Sequence, residues 1–355
     1  MGKDAQMNET ILSVEHLTKH YPIKNGVFGR SDKVVHALED VSFELHRGET
    51  FAIVGESGCG KSTTGKCILR LTEPTSGKVI LDGEDFTSLK GDALTQARKK
   101  MKLIFQDPYS SLNPRMTVAD IIAEPIDIAH TYKTKKERDA RVEEVMQEVG
   151  LALAFKYRYP HEFSGGQRQR IGIARAIILE PEIVVCDEPV SALDVSVQAK
   201  VINLLEQLQH EMGLSYIFIS HDLSVVKHIS DTVMVMYLGH TMELASKDEL
   251  FGNPLHPYTK ALLDVIPRIS RERIQDKKIL EGDVPSPTNP PEGCVFHTRC
   301  TSCMKVCSKR APEMHEIAPG HFCACPLFDK DLTEAERQLD LNETLVAEEK
   351  ANALA

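Results

Sequence analysis

The chain has 355 residues, enough for about two average domains and a sizeable core. With 42% apolar and 26% charged residues it has the composition of an ordinary folded protein, which excludes a wholly disordered chain. Its 52 acidic against 42 basic side chains leave a net charge of −10, a poor balance for gripping nucleic acid by electrostatics.

The opening stretch MGKDAQMNETILSVEHL lacks the apolar run of a secretory signal, and nowhere does an apolar run approach the ~20 residues of a membrane-spanning helix. The expected setting is the cytosol, where thiols stay reduced and nine cysteines serve something other than disulfides. From residue 1 to about 255 short β-rich runs alternate with helical patterns, as in a sheet flanked by helices.

The first clear strand, TFAIV (50–54), runs directly into Gly55-Glu56-Ser57-Gly58-Cys59-Gly60-Lys61-Ser62 and a helical pattern from Lys61 to Leu71. This is G-x-x-x-x-G-K-[ST] between a strand and a helix, a glycine-rich turn whose backbone N–H groups wrap phosphates at a helix N-terminus. Lys61 is expected on the β/γ-phosphates and Ser62 on Mg²⁺, with Thr63 completing the loop. Cys59 lies where the positive end of a helix lowers a thiol's pKa; it reads as a functional thiol or as a tolerated small residue.

A second strand, KLIF (102–105), ends at Gln106, and residues 117–150 are helical throughout, which suggests an inserted helical subdomain. Phe163-Ser164-Gly165-Gly166-Gln167 then opens the basic helix RQRIGIARAI (168–177), another phosphate-binding helix N-terminus. The strand IVVCDE (183–188) ends in two acids: Asp187 suits a Mg²⁺-associated carboxylate acting through water, and Glu188 suits the group that orients an attacking water. A helix from Val195 to Met212 follows, then YIFIS (216–220) ending at His221, and TVMVM (232–236). Gly55, Gln106, Asp187, Glu188 and His221 all follow strand C-termini, where open α/β sheets bind ligands.

The pattern breaks at GNPLHPY (252–258), and VPSPTNPPEG (284–293) is a proline-rich, semi-rigid connector. Six of the nine cysteines follow between Cys294 and Cys325, and an acidic tail closes the chain from Asp331 to Ala355.

In this order the phosphate loop, Gln106, the SGGQ run, IVVCDE, Ser191-Ala-Leu-Asp194 and His221 resemble the ATP-binding subunit of an ABC transporter, over residues 10 to about 265. Phe163 stands where that family usually has Leu. The resemblance implies an α/β P-loop NTPase core sheet of ABC type in a cassette spanning 1–255, with a helical subdomain at about 107–178. A small loop-rich, cysteine-containing extension at 256–330 and the acidic tail at 331–355 complete it. It further implies ATP and Mg²⁺ as cofactors, and Lys61, Gln106, Glu188 and His221 as catalytic residues. Gln106 joins Ser62 and Asp187 as a Mg²⁺ residue. Two cassettes of this family meet head to tail, so Ser164, Gly165, Gly166, Gln167 and Asp194 join the nucleotide-binding set at the interface. Tyr21 is the adenine-stacking aromatic by resemblance, with KNGVFGRSDK (24–33) inserted between it and the loop; Phe28, or plain packing of Tyr21, is the alternative. Water attack there is catalysed by positioning and charge neutralisation.

QDPYSSLNPR (106–115), CDEPVSALDVSVQAKVINLL (186–205), HDLSVVKHISD (221–231), HPYTKALL (256–263) and PSPTNPPEGC (285–294) narrow the likeness to the oligopeptide/dipeptide importer branch, F-type subunit. That implies a second, unlike ATPase subunit, two transmembrane permeases, an extracytoplasmic solute-binding protein, and a peripheral place on the cytoplasmic face of the membrane. Tyr109 to Leu112 are then candidates for docking a permease. Relatives carry dipeptides, oligopeptides, nickel or sugars, and the cassette does not reveal which. Some members hold a [4Fe–4S] cluster in the extension, and by position Cys294, Cys300, Cys307 and Cys325 match its four cysteines, with Cys303 and Cys323 extra. Zinc, with His297, His315 and His321 nearby, and free structural thiols are the alternatives. From a different class comes a soluble ABC-type ATPase acting on nucleic acid or ribosomes; such proteins carry coiled-coil insertions, duplicated cassettes or basic surfaces that this chain lacks. A regulatory module that holds ATP without turnover is opposed by the intact Glu188 and His221.

Overall fold

The computed structural model describes residues 9–25, 29–264, 282–333 and 336–337. Phe28 and nearly all of the acidic tail lie outside them. The strands in chain order are β1 (Thr10–Asn25), β2 (Gly29–His46), β3 (Thr50–Val54), β4 (Ser76–Leu81), β5 (Glu84–Asp85), β6 (Met101–Ile104), β7 (Ile183–Asp187), β8 (Ser215–Ser220), β9 (Thr232–Tyr237), β10 (His240–Ser246), β11 (His315–Ala318) and β12 (His321–Cys323). They form a four-stranded antiparallel sheet, β2-β1-β4-β5, and an eight-stranded sheet, β11-β12-β10-β9-β3-β8-β7-β6. In the larger sheet β9, β3, β8, β7 and β6 are parallel, while β10, β12 and β11 continue it antiparallel.

The five parallel strands are nearly continuous apolar runs because both faces of the sheet are covered. The side-chain alternation divides them between two cores. Phe51, Ile53, Val185, Ile217 and Met234 face the antiparallel sheet, whereas Ala52, Val54, Val184, Phe218 and Val235 face the helical layer. The helical layer holds Val118–Ala129 and Lys135–Glu148, started by Thr117 and Thr134, whose side-chain oxygens accept the N–H of Asp120 and Glu137. Arg138 clamps the two together with a forked bond to Asp127, 2.8 Å on each arm. The helix over Gly165–Ile177 packs between this layer and the sheet.

Three sequence expectations need adjustment. The helix after the phosphate loop is shorter than Lys61–Leu71, spanning Lys61–Ile68. The chain before residue 50, which showed no strand in the sequence, holds two of the longest. The extension is less of an appendage than its loops implied: β12 pairs with β10 on the edge of the main sheet, and Cys294, Val295, Phe296 and Met304 belong to the same core as the helical layer.

Candidate functional site

The parallel register brings the strand C-termini level. Val54 pairs with Ser220, Asp187 with Ile219, and Ile104 with Cys186. The residues just beyond them therefore form one row: Gly55, His221, Asp187 with Glu188, and Gln106.

Within the phosphate loop, Gly55, Gly58 and Gly60 have φ of +150°, +81° and +108°, a conformation that L side chains rarely adopt. Close approach adds a second constraint, since a Cβ on Gly55 would lie 2.1 Å from the Met236 carbonyl oxygen and one on Gly60 2.5 Å from that of Ala37. Lys61 is buried and donates its ammonium to the carbonyls of Gly55 (2.8 Å) and Glu56 (2.9 Å). Ser62 donates to Asp187 Oδ1 at 2.6 Å. Burial raises the Asp187 carboxyl above its usual range against the pull of Ser62, so a cation beside it would relieve a standing electrostatic cost.

Glu188 occupies the left-handed region at φ +46°, with its N–H donating to the Ile219 carbonyl at 3.0 Å. Such a backbone is strained for a non-glycine residue and recurs at functional sites. Its carboxylate meets Gln106 Nε2 at 2.9 Å and His221 Nδ1 at 3.2 Å, from two different strands. The arrangement offers a carboxylate, an imidazole and an amide around a hydroxyl–carboxylate pair, next to a loop of backbone N–H groups and a buried ammonium. That suits a phosphate-bearing ligand with a divalent cation and a positioned water.

The other predicted residues are local. Ser164 caps its helix by accepting the Gln167 N–H, and Gln167 returns a carbonyl to the Ser164 N–H at 3.1 Å. Among the described residues no hydrogen bond joins this segment to the phosphate loop. Gly166 is required by packing, because a Cβ there would sit 2.4 Å from Val197 Cγ1. Asp194 caps the helix Val195–Met212, and its carboxyl is held below the usual range by Ser196 and the Val197 N–H. Tyr21 is exposed on β1 with the Lys19 ammonium 4.8 Å from its ring centre. Cys59 corrects an expectation: burial raises its thiol pKa, outweighing the helix end and Lys61 that would lower it.

Beside Gln106 a groove of about 770 Å³ is lined by Leu71, Phe105, Ser110, Ser111, Ile128 and Arg175, among others. Phe105 and Ile128 are exposed in it. Of the docking candidates, Tyr109 is exposed over the Arg168 guanidinium, whereas Leu112 is only 2% exposed and packs inward, so it offers nothing to a partner.

All six clustered cysteines are buried and unbridged. Burial pushes the thiols of Cys294 and Cys325 up to about 12 and that of Cys300 to about 11. Cys294, Cys300, Cys307 and Cys325 lie near enough to one another that a charge on one disfavours a charge on the next, and Cys323 stands in the same relation to Cys325 and Cys294. Cys307 Sγ also accepts the Met304 N–H. Among the described residues the one set of three metal-ligating side chains with donors within 4.8 Å of one another is His20, His36 and Glu39, which sequence reasoning did not single out. Of the zinc alternatives, His321 is committed elsewhere: fully buried, its Nε2 meets Glu243 Oε1 at 2.8 Å. His297 Nδ1 faces the Cys294 carbonyl at 2.8 Å.

Residues 38–191 match the family "ABC transporter" and residues 242–307 match "Oligopeptide/dipeptide transporter, C-terminal region". The chain is 54% identical to the oligopeptide transport ATP-binding protein AppF of Bacillus subtilis, over 91% of this chain and 99% of the relative. It is 52% identical to the oligopeptide transport ATP-binding protein OppF of Salmonella typhimurium, over 93% and 99%. Among solved structures it resembles the dimeric ATP-binding cassette MJ0796 in a post-hydrolysis state with ADP and Pi, at 30% identity, a TM-score of 0.59, and coverage of 66% of this chain and 98% of that one. With that match in sequence, and with the loop, acids, amide and imidazole drawn together as the fold requires, the chain belongs to the ABC transporter ATPases, in the branch that carries the oligopeptide/dipeptide transporter C-terminal region.

Proposed function

We propose that the chain is the ATP-hydrolysing subunit of an importer that takes up di- or oligopeptides through partner permeases. The observation that carries the ATPase half is the convergence of Gln106 and His221 on Glu188, one residue from the carboxylate bonded to Ser62. In this reading Lys61 leaves the Gly55 and Glu56 carbonyls for the β/γ-phosphates. Ser62, Gln106 and Asp187 hold Mg²⁺, whose charge offsets that of the phosphates, and Glu188 with His221 orients the water. Tyr21 stacks on adenine. Ser164–Gln167 and Asp194 serve the site of a second cassette, an unlike ATPase. The transport half rests on the relatives, which are oligopeptide transport ATP-binding proteins, and on the apolar groove beside Gln106, which offers a seat for a permease's cytoplasmic helix at the cytoplasmic membrane face.

The same reading assigns a [4Fe–4S] cluster to Cys294, Cys300, Cys307 and Cys325. Four buried, unbridged thiols with an N–H donor on one sulfur offer the thiolate set that such a cluster takes, while His321, one of the zinc alternatives, is bound to Glu243.

The test is purification of the tagged chain from detergent-solubilised native membranes, with mass spectrometry of what co-elutes. Two multi-span permeases and a second, unlike cassette ATPase are expected. Recovery solely with nucleic-acid or ribosomal proteins overturns the transport reading and leaves the ATPase standing.

A further inference from the structure

Glu56, in the phosphate loop, is gripped by residues more than 200 positions later in the chain. Arg299, itself 8% exposed, places both guanidinium arms on its carboxylate, Nη1 to Oε2 at 2.7 Å and Nη2 to Oε1 at 3.1 Å. The fully buried Tyr258 accepts the Glu56 N–H on its hydroxyl at 2.9 Å. Behind them, Phe296 of the extension packs against the rings of Tyr237 and Tyr258 at 5.3 and 5.2 Å, and Arg299 Nη1 also reaches the Tyr237 hydroxyl at 3.4 Å. Glu56 is thus held at its N–H, at its side chain, and at its carbonyl, which accepts Lys61.

A loop with three glycines at positive φ has little conformational preference of its own. Its N–H groups are useful to a phosphate only if they already point inward, since ordering them on binding subtracts from affinity. The flanking strand and helix fix its two ends. Its first variable residue is fixed by the extension instead. A planar fork on a carboxylate sets orientation as well as distance, which a point charge does not.

We infer that Arg299 is a positioning residue of the nucleotide site. From the C-terminal extension it holds Glu56, and through Glu56 it holds the phosphate loop in the shape that takes MgATP. The inference rests on the ATPase reading above. It makes the extension a structural part of the nucleotide site, so that MgATP binding and the order of the segment around Arg299 favour each other reciprocally.

The test uses the full-length chain and four variants: Arg299→Lys, Arg299→Gln, Glu56→Gln and the double Arg299→Gln/Glu56→Gln. MgATP affinity, KM, kcat and melting temperature are measured for each. Glu56→Gln leaves the buried Arg299 charge unpaired and Arg299→Gln leaves the partly buried Glu56 unpaired, so both lose thermal stability, whereas the double variant removes both charges and recovers it. A residue that only held the fold together would recover MgATP affinity along with the melting temperature. Positioning predicts that the double variant stays about 10- to 100-fold weaker for MgATP, with KM rising more than kcat falls. Arg299→Lys keeps a charge against Glu56 but not the fork, so it folds and still loses affinity severalfold. Wild-type affinity in Arg299→Lys, or in a double variant with a native melting temperature, overturns the inference. A wild-type chain that binds no MgATP instead overturns the ATPase reading, and Lys61→Ala supplies the control for that arm.

Discussion

Gln106 Nε2 donates to Glu188 Oε2 at 2.9 Å, tying the end of β6 to the end of β7 across 82 residues of sequence. Phe105, the preceding residue, lines the groove beside the helical layer, so whatever seats there presses on the residue next to the one that holds Glu188. His221 meets the same carboxylate from β8. Glu188→Gln keeps the volume and removes the charge proposed to orient the water. ATP binding should persist while hydrolysis falls at least ~100-fold, given what positioned acid–base groups contribute. Turnover assays on the purified variant check it, and normal turnover removes Glu188 from the chemistry.

Asp187, the proposed Mg²⁺ carboxylate, carries a stability cost. Its carboxyl is buried, raised above its usual range by desolvation, and bonded to Ser62. Without a cation beside it, its charged form opposes folding. Asp187→Asn should therefore raise, or at least preserve, the melting temperature of the nucleotide-free chain while abolishing Mg²⁺-dependent hydrolysis, the trade expected at an active site. Thermal unfolding with and without Mg²⁺ separates the effects. A variant that unfolds earlier than wild type would show that Asp187 is structural.

The residues that follow strand C-termini were legible because their chemistry sits in short, contiguous motifs and because parallel strands register neighbours automatically. β1 and β2 were not. Register shifts recur along their pairing, and left-handed His16 and Asp40 turn the backbone, so the two-residue alternation that marks a strand is scrambled. Arg299 and Tyr258 were hidden for a different reason: each is an ordinary residue until the fold sets it beside Glu56, and no local pattern encodes a contact made over 200 residues away. At Cys59 the sequence carried its position at a helix start, while the burial that decides its pKa is a property of packing.

For the cysteines, the proposed ligand set is Cys294, Cys300, Cys307 and Cys325, with Cys303 and Cys323 outside it. Cys303 donates to the neighbouring Met304 carbonyl, and Cys323 lies near Glu243 and Lys260. Cys300→Ser with Cys307→Ser should lose iron and its visible absorbance, whereas Cys303→Ser should keep both. Iron analysis of anaerobically purified protein decides it, and unchanged iron in the double variant refutes the ligand set.

His256 gives the fold an acid limit. It is 1% exposed, its Nδ1 accepts the Tyr258 N–H at 3.0 Å, and burial, with the Lys260 ammonium adding, pushes its pKa down to about 3. The unfolded chain titrates near 6.5. Between those values the unfolded state takes up a proton that the folded state refuses, so stability rises with pH across the window and is lost as pH falls below about 6.5. The loss between pH 7 and 5.5 should be about 1 kcal/mol. Asp187 and Asp231, both raised by burial, act with the opposite sign, so the informative quantity is the difference from His256→Gln. Denaturant unfolding at the two pH values should show this increment in wild type and not in the variant; equal slopes reject the assignment.

A substitution at Ile128 tests whether transport can be separated from hydrolysis. It is 72% exposed on the helix Val118–Ala129 and lines the groove with Phe105 and Arg175. A large aliphatic side chain left in water at the rim of an apolar groove is what a docking surface requires. Ile128→Asp costs the isolated chain little, because no buried contact is lost. It should leave MgATP binding and basal hydrolysis within about twofold of wild type while abolishing co-purification with permeases and peptide uptake in cells, since a desolvated carboxylate in the seat costs several kcal/mol. Uptake at the wild-type rate would show that the permease docks elsewhere, and a parallel loss of basal hydrolysis would show that Ile128 supports the site itself.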